Sequence, residues 1–143
     1  MDVKGMVARK TRTLGIVDVG LIVLSHCNNP AKDEAIEFIE KVFLGDINAK
    51  IPLSNFIGAY HIMTRYLKIP RRNVATTLLE TLSLQNPSFT PDISLGDVIN
   101  GLKNSVTLKI EGWDGYLVAL ADKLGGNIIY TCLLYTSDAA DEG

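Results

Sequence analysis

Trp113-Asp114-Gly115-Tyr116-Leu117-Val118-Ala119-Leu120-Ala121-Asp122-Lys123-Leu124-Gly125-Gly126-Asn127-Ile128-Ile129-Tyr130-Thr131 puts a lone carboxylate at the mouth of a helix that runs into a short apolar strand. Asp114 stands where an N-cap belongs, Gly125 and Gly126 end the helix, and Asn127 to Thr131 reads as a strand. Near the other end of the chain, Leu14-Gly15-Ile16-Val17-Asp18-Val19 is an apolar run rich in β-branched residues. It reads as a buried parallel strand closed by Asp18, with Gly20 to His26 continuing as a short helix.

The residues between repeat this alternation. Asn28-Asn29-Pro30 breaks the first helix. From Ala31 to Leu44, Ile36, Ile39, Val42 and Phe43 share one face and Lys32, Asp33, Glu34, Glu37 and Lys41 cover the other, which predicts an amphipathic helix stopped by Gly45. Ala49-Lys50-Ile51-Pro52 is a second strand, and Ser54 or Asn55 caps a helix reaching about Leu67. Pro70 divides that helix from another over roughly 72–84, with Val74, Leu78, Leu79 and Leu82 on one face. Asn86 to Asp92, with two prolines, is loop or short edge strand, Ser94 to Asn104 is helix, and Val106 to Ile110 is ambiguous. Strands alternating with helices predict the α/β class: a three-layer α/β/α sandwich around a central parallel sheet.

Composition bounds the function. The chain is 47% hydrophobic and 21% charged, ordinary for one globular domain and far from disorder. Cys27 and Cys132 make no disulfide framework, and no apolar run approaches a membrane span. Residues 1–13 form a basic extension, with Lys4, Arg9, Lys10 and Arg12, and lack a signal-peptide core, so a cytoplasmic location is expected. No Gly-rich phosphate loop, zinc pattern or nucleophile elbow is present. The tail Cys132-Leu133-Leu134-Tyr135-Thr136-Ser137-Asp138-Ala139-Ala140-Asp141-Glu142 resembles one reading frame of a sequencing-library adapter. Residues 132–143 are therefore expected to be non-native, leaving 14–131 as a domain cut before its last strand. Without Asp138, Asp141 and Glu142, the formal charge of -2 becomes 13 acids against 14 bases, and bulk charge points to no partner.

Asp18 and Asp114 each carry two readings. Either is a helix cap, worth about 1 kcal/mol, or the two converge where helix N-termini meet the carboxyl ends of neighbouring strands. Hard oxygen ligands there suit Mg²⁺ or Mn²⁺. Two carboxylates hold such an ion weakly, and Glu111, three residues before Asp114, is either a further metal ligand or a plain loop charge.

The Val17-Asp18-Val19-Gly20 strand end, Ile51-Pro52-Leu53-Ser54 before a long helix, and the module from Trp113 to Thr131 together resemble a prokaryotic PIN domain over roughly residues 14 to 131. The resemblance implies a Mg²⁺- or Mn²⁺-dependent endoribonuclease, with Asp18 and Asp114 as metal ligands, RNA as substrate, and possibilities of an antitoxin partner and a homodimer. It also implies a glutamate in the helix after the second strand, where this chain has Gly58, and a fourth acid one or two residues past Thr131. Asn55 and His61, about one turn either side of Gly58, are candidate substitutes. Arg65, Lys68, Arg71 and Arg72, with Tyr66 among them, are read either as an RNA-phosphate surface or as a solvated helix end. His26 has no ligand spacing and takes no role. The alternative from another class is a degenerate PIN-like module that binds RNA or a protein without cutting; a third is a structural domain with two capping aspartates.

Overall fold

Ile16 and Val17 are wholly buried on opposite faces of one sheet, which is why the first apolar run has no polar alternation. The computed structural model describes residues 14–131; the basic segment 1–13 and the tail 132–143, including the expected position of the fourth acid, lie outside the described residues. Four strands make one all-parallel sheet: β1 (Gly15–Val17), β2 (Ala49–Pro52), β3 (Phe89–Thr90) and β4 (Ile128–Tyr130), in the order β3-β2-β1-β4. Ile16 pairs with Lys50 on one side and Ile129 on the other. The α/β sandwich expected from the sequence is the fold observed, and the segment left as loop or edge strand contains β3.

Among the described residues, six α-helices pack around the sheet or on one another: α1 (Val19–His26), α2 (Lys32–Phe43), α3 (Ser54–His61), α4 (Arg71–Leu82), α5 (Leu95–Leu108) and α6 (Gly112–Lys123). Val17, Ile51 and Tyr130 meet Leu21, Phe38, Phe56, Met63 and Val74 in the larger core. On the opposite face, Ile16 packs with Tyr116, Leu117 and Leu120 of α6. Gly15 is required beneath Tyr130, whose ring would lie 2.2 Å from any added Cβ.

Several boundaries differ from the sequence expectation. The helix expected to reach Leu67 is α-helical only to His61 and continues as a π-helical turn, Ile62–Tyr66. Neither Ser54 nor Asn55 caps α3 with its side chain. Instead Asp92, arriving from the end of β3, accepts from the Ser54 amide at 3.0 Å and from its hydroxyl. The ambiguous stretch joins α5, which closes at Lys109 in the left-handed conformation. In α4, Val74 and Leu78 are buried, but Leu79 is exposed.

His26 is structural. Its Nδ1 faces the Ile22 carbonyl at 2.7 Å, which can only accept, so Nδ1 carries the proton and Nε2 accepts from the Thr81 hydroxyl at 2.7 Å. These bonds pin the end of α1 to α4. Among the described residues, no helix is long and apolar enough to cross a membrane.

Candidate functional site

The chain leaves β1 toward β2 on one side, while β4 returns on the other, so the strand order reverses beside β1. Open α/β sheets bind ligands outside the carboxyl ends of the strands at such a switch point. Asp18 and Thr131 directly follow β1 and β4 there.

Asp18 is buried, and its carboxylate is tied on both oxygens. Oδ1 accepts from the Val19 amide at 2.7 Å, capping α1, and Oδ2 accepts from the Thr131 hydroxyl at 2.7 Å. The capping reading of Asp18 is therefore observed. A carboxylate offers about four lone-pair sites, so acceptor capacity remains for a further ligand. Burial pushes the Asp18 carboxyl above its ordinary value, against the opposing pull of the bonds from Thr131 and Val19.

Asp114 is not the N-cap of its helix. α6 starts at Gly112 with Glu111 in the cap position, making no side-chain cap bond, and Asp114 lies within the first turn. The glycine at 112 extends the helix beyond the residue that pattern reading took as its start. Burial raises the Asp114 carboxyl, and the negative charges of Asp18 and then Glu111 raise it further. Both of these acids therefore act on Asp114.

That coupling has a sign. Carboxyls raised on folding bind more protons in the folded chain, so their contribution to stability is best below the ordinary value near 3.8 and declines as pH rises through the folded values. In chelator, Asp114→Asn is expected to raise the melting temperature at neutral pH by about 2–4 °C and to flatten its decline between acid and neutral pH. A melting curve that falls for the variant would show Asp114 to be a net stabilising group.

Gly58 borders the same place. A Cβ built on it would stand 3.2 Å from Val19 Cγ2, beside Asp18, and 3.8 Å from Trp113 Cζ2, beside Asp114. The position at which the resembled family carries its glutamate therefore lies between the two aspartates' neighbours, with the indole close over it. Asn55 is fully buried, and its Nδ2 donates to the Val17 carbonyl at 2.7 Å. Its Oδ1 is buried without a hydrogen-bond partner among the described residues, and an unmet acceptor costs roughly 1–3 kcal/mol. His61 is exposed, with its ring edge-on to Tyr66.

A cleft of about 500 Å³ opens beside Gly58, lined by Ser54, Ile57, Pro91, Asp92, Ile93 and Trp113. Asp92 is the residue the sequence reading missed. Besides capping α3, it accepts from the Tyr116 hydroxyl at 2.6 Å, and that hydroxyl accepts from the Ile93 amide at 2.7 Å. Burial first, and the bond to Asp92 second, push the Tyr116 phenol up, so it stays a donor.

Arg65, Lys68, Arg71 and Arg72 are exposed at the far end of α3 from the carboxylates. Residues 54–66 run about 18 Å at 1.5 Å per residue, so the fold does not gather these cations into the crevice. Arg65 closes the π-helical turn, where a cation suits the helix dipole; Arg71 and Arg72 open α4, where it does not. The solvated-end reading accounts for the first and not for the other two.

As donors for a hard cation, Asp18 and Asp114 are chemically suited, and the repulsion that helps raise Asp114 is what a cation would relieve. Among the described residues, no group of three or more His, Cys, Asp or Glu is arranged to hold a metal ion. The residues fit an open, weakly held site. No protein-family model and no curated protein matches the chain.

Proposed function

We propose that the chain is the core of a cytoplasmic Mg²⁺- or Mn²⁺-dependent ribonuclease of the PIN type, with Asp18 and Asp114 holding the metal and Glu111 adding negative charge beside them. The observation that supports this reading is the place of Asp18, clamped by Val19 and Thr131 at the carboxyl end of β1 beside the strand-order reversal, with its charge helping to raise Asp114. When bound, the metal would activate water and offset charge developing on an RNA phosphodiester. Thr131 and the Val19 amide fix the Asp18 carboxylate, so its free lone pairs keep one direction. Asn55 anchors the strand end just before it. RNA is the substrate, and an antitoxin protein and a second copy of the chain are the partners that go with this reading.

One observation favours a second reading, a PIN-like module that binds RNA or a protein without cleavage. Gly58 supplies no ligand, and Trp113 closes over it. Incubating single-stranded RNA with the protein in Mn²⁺ and in chelator separates the two: cleavage in Mn²⁺ alone supports the nuclease, retention without cleavage supports the binder, and cleavage in chelator overturns the metal assignment.

The cationic end of α3 makes a separate prediction. If Arg71 and Arg72 touch phosphate, removing both should lower the slope of log affinity against log salt by about 1.4 for single-stranded RNA. A filter-binding series across salt concentrations measures this, and an unchanged slope would return both arginines to solvent.

A further inference from the structure

The cleft beside Gly58 combines a bare apolar wall with a single polar point. Ile57, Ile93 and Trp113 wall it and are 76, 53 and 38% exposed, although each is a large apolar side chain. Exposed apolar groups gathered around a concavity mark a place that something covers. Among the described residues no lysine, arginine or histidine lines this cleft, and its one charged group is Asp92. A phosphate or a carboxylate is therefore repelled from it, and a neutral flat group that carries a donor is not.

Asp92 has room for one such donor. Its Oδ1 accepts from the Ser54 amide, and its Oδ2 accepts from the hydroxyls of Ser54 and Tyr116. A carboxylate has about two acceptor positions on each oxygen, so Oδ2 is filled and one position on Oδ1 stays open. The three bonds also hold the carboxylate in one orientation.

Trp113 supplies the flat surface. Its ring packs on Tyr116, with centroids 5.9 Å apart, and stands over Gly58, where a built Cβ would lie 3.8 Å from its Cζ2. The same Cβ would lie 3.2 Å from Val19 Cγ2, so a longer side chain at 58 would crowd the corner between Asp18's neighbour and Asp114's neighbour. Glycine there leaves the cleft open right up to that corner.

We propose that this cleft is a nucleobase pocket, in which a base stacks on Trp113 and gives its exocyclic amino group to the open position of Asp92 Oδ1. Unpaired bases are recognised by stacking on aromatic side chains and by hydrogen bonds to their pairing edges, and a carboxylate accepts from the cytosine N4 amino group. Cytosine is therefore taken over uracil, which has a carbonyl oxygen at that position. The pocket rests on the RNA ligand common to both readings above and not on cleavage.

Trp113 is the chain's only tryptophan, so its emission reports on the pocket directly. Hexacytidylate and hexauridylate are titrated into the full chain in chelator, with emission followed alongside the anisotropy of end-labelled oligonucleotide. Hexacytidylate should quench Trp113 saturably and bind about tenfold more tightly than hexauridylate, the scale of one hydrogen bond to a charged group. Trp113→Ala should weaken both oligonucleotides by about tenfold, the scale of one lost stacking contact, and Trp113→Phe should restore most of the loss. Asp92→Asn should bring the two affinities together, and because Asp92 also caps α3, its melting curve is recorded beside the binding curve. Binding by anisotropy without a change in Trp113 emission, or equal affinity for the two oligonucleotides, would overturn the pocket alone. Failure of either oligonucleotide to bind would overturn it together with both RNA readings.

Discussion

Asp18→Asn is expected to lower Mn²⁺-dependent cleavage of single-stranded RNA by at least about 100-fold, a larger effect than losing a residue that only orients a ligand. The substitution is nearly isosteric, and an amide oxygen can still accept one of the two bonds that Val19 and Thr131 now give. What disappears is the charge. Asp114→Asn should act similarly, and the double variant should be little worse than either alone, because residues that hold one ion act as a unit. Thr131→Val is the graded control: Asp18 keeps its charge and loses one tether, so a drop of about tenfold is expected. Gel-resolved cleavage rates measure all four proteins. Full activity in Asp18→Asn would remove the carboxylate pair from the chemistry.

Gly115→Ala is expected to be strongly destabilising for the addition of a single methyl. Its Cβ would stand 2.4 Å from the Gly101 carbonyl oxygen and 2.8 Å from the Ser105 amide nitrogen, both backbone atoms that cannot turn aside. Overpacking costs about 1–3 kcal/mol and sometimes more, and here the upper end is expected because α5 and α6 must separate to admit the methyl. A fall in melting temperature on the order of 10 °C would follow. Gly112→Ala is the matched control, since nothing lies within 4 Å of a Cβ there, and its melting temperature should stay level or rise slightly. If the two variants melted alike, the close crossing of α5 and α6 would be wrong.

The fold was legible because its signals are local. Runs such as Gly15 to Val17, which is buried, and Ile128 to Tyr130, which is half-buried to buried, are short and apolar, as strands of a covered parallel sheet are. What escaped depends on distant residues. α3 is capped by Asp92, 38 positions away, so the search for a cap among Ser54 and Asn55 looked in the wrong place. α6 begins ahead of its acid, because Gly112 and Trp113 join the helix. α5 was legible as a helix, but that its polar side, with Asp97 and Asn104, faces α6 follows only from contacts with α6.

The site was legible in part for the same reason. Asp18 and Asp114 were visible as lone acids at element junctions, and the parallel topology that the alternation of elements implies puts Asp18 at the carboxyl end of β1. The clamp by Thr131, the indole over Gly58 and the orphaned oxygen of Asn55 are long-range contacts without a sequence pattern. His61 was placed near Gly58 by helical spacing, but it points its ring to Tyr66 and solvent instead. Arg65, Lys68, Arg71 and Arg72 lie beyond the opposite end of α3 from the carboxylates, which follows from the helix's direction.

Direct Mn²⁺ binding, followed by loss of the free-ion electron paramagnetic resonance signal, tests the central claim that Asp18 and Asp114 form one cation site. The account predicts one weakly bound ion per chain, displaced by Mg²⁺, with binding lost in Asp18→Asn and in Asp114→Asn alike. Binding that persists in both variants, or is absent from the wild type, would contradict it.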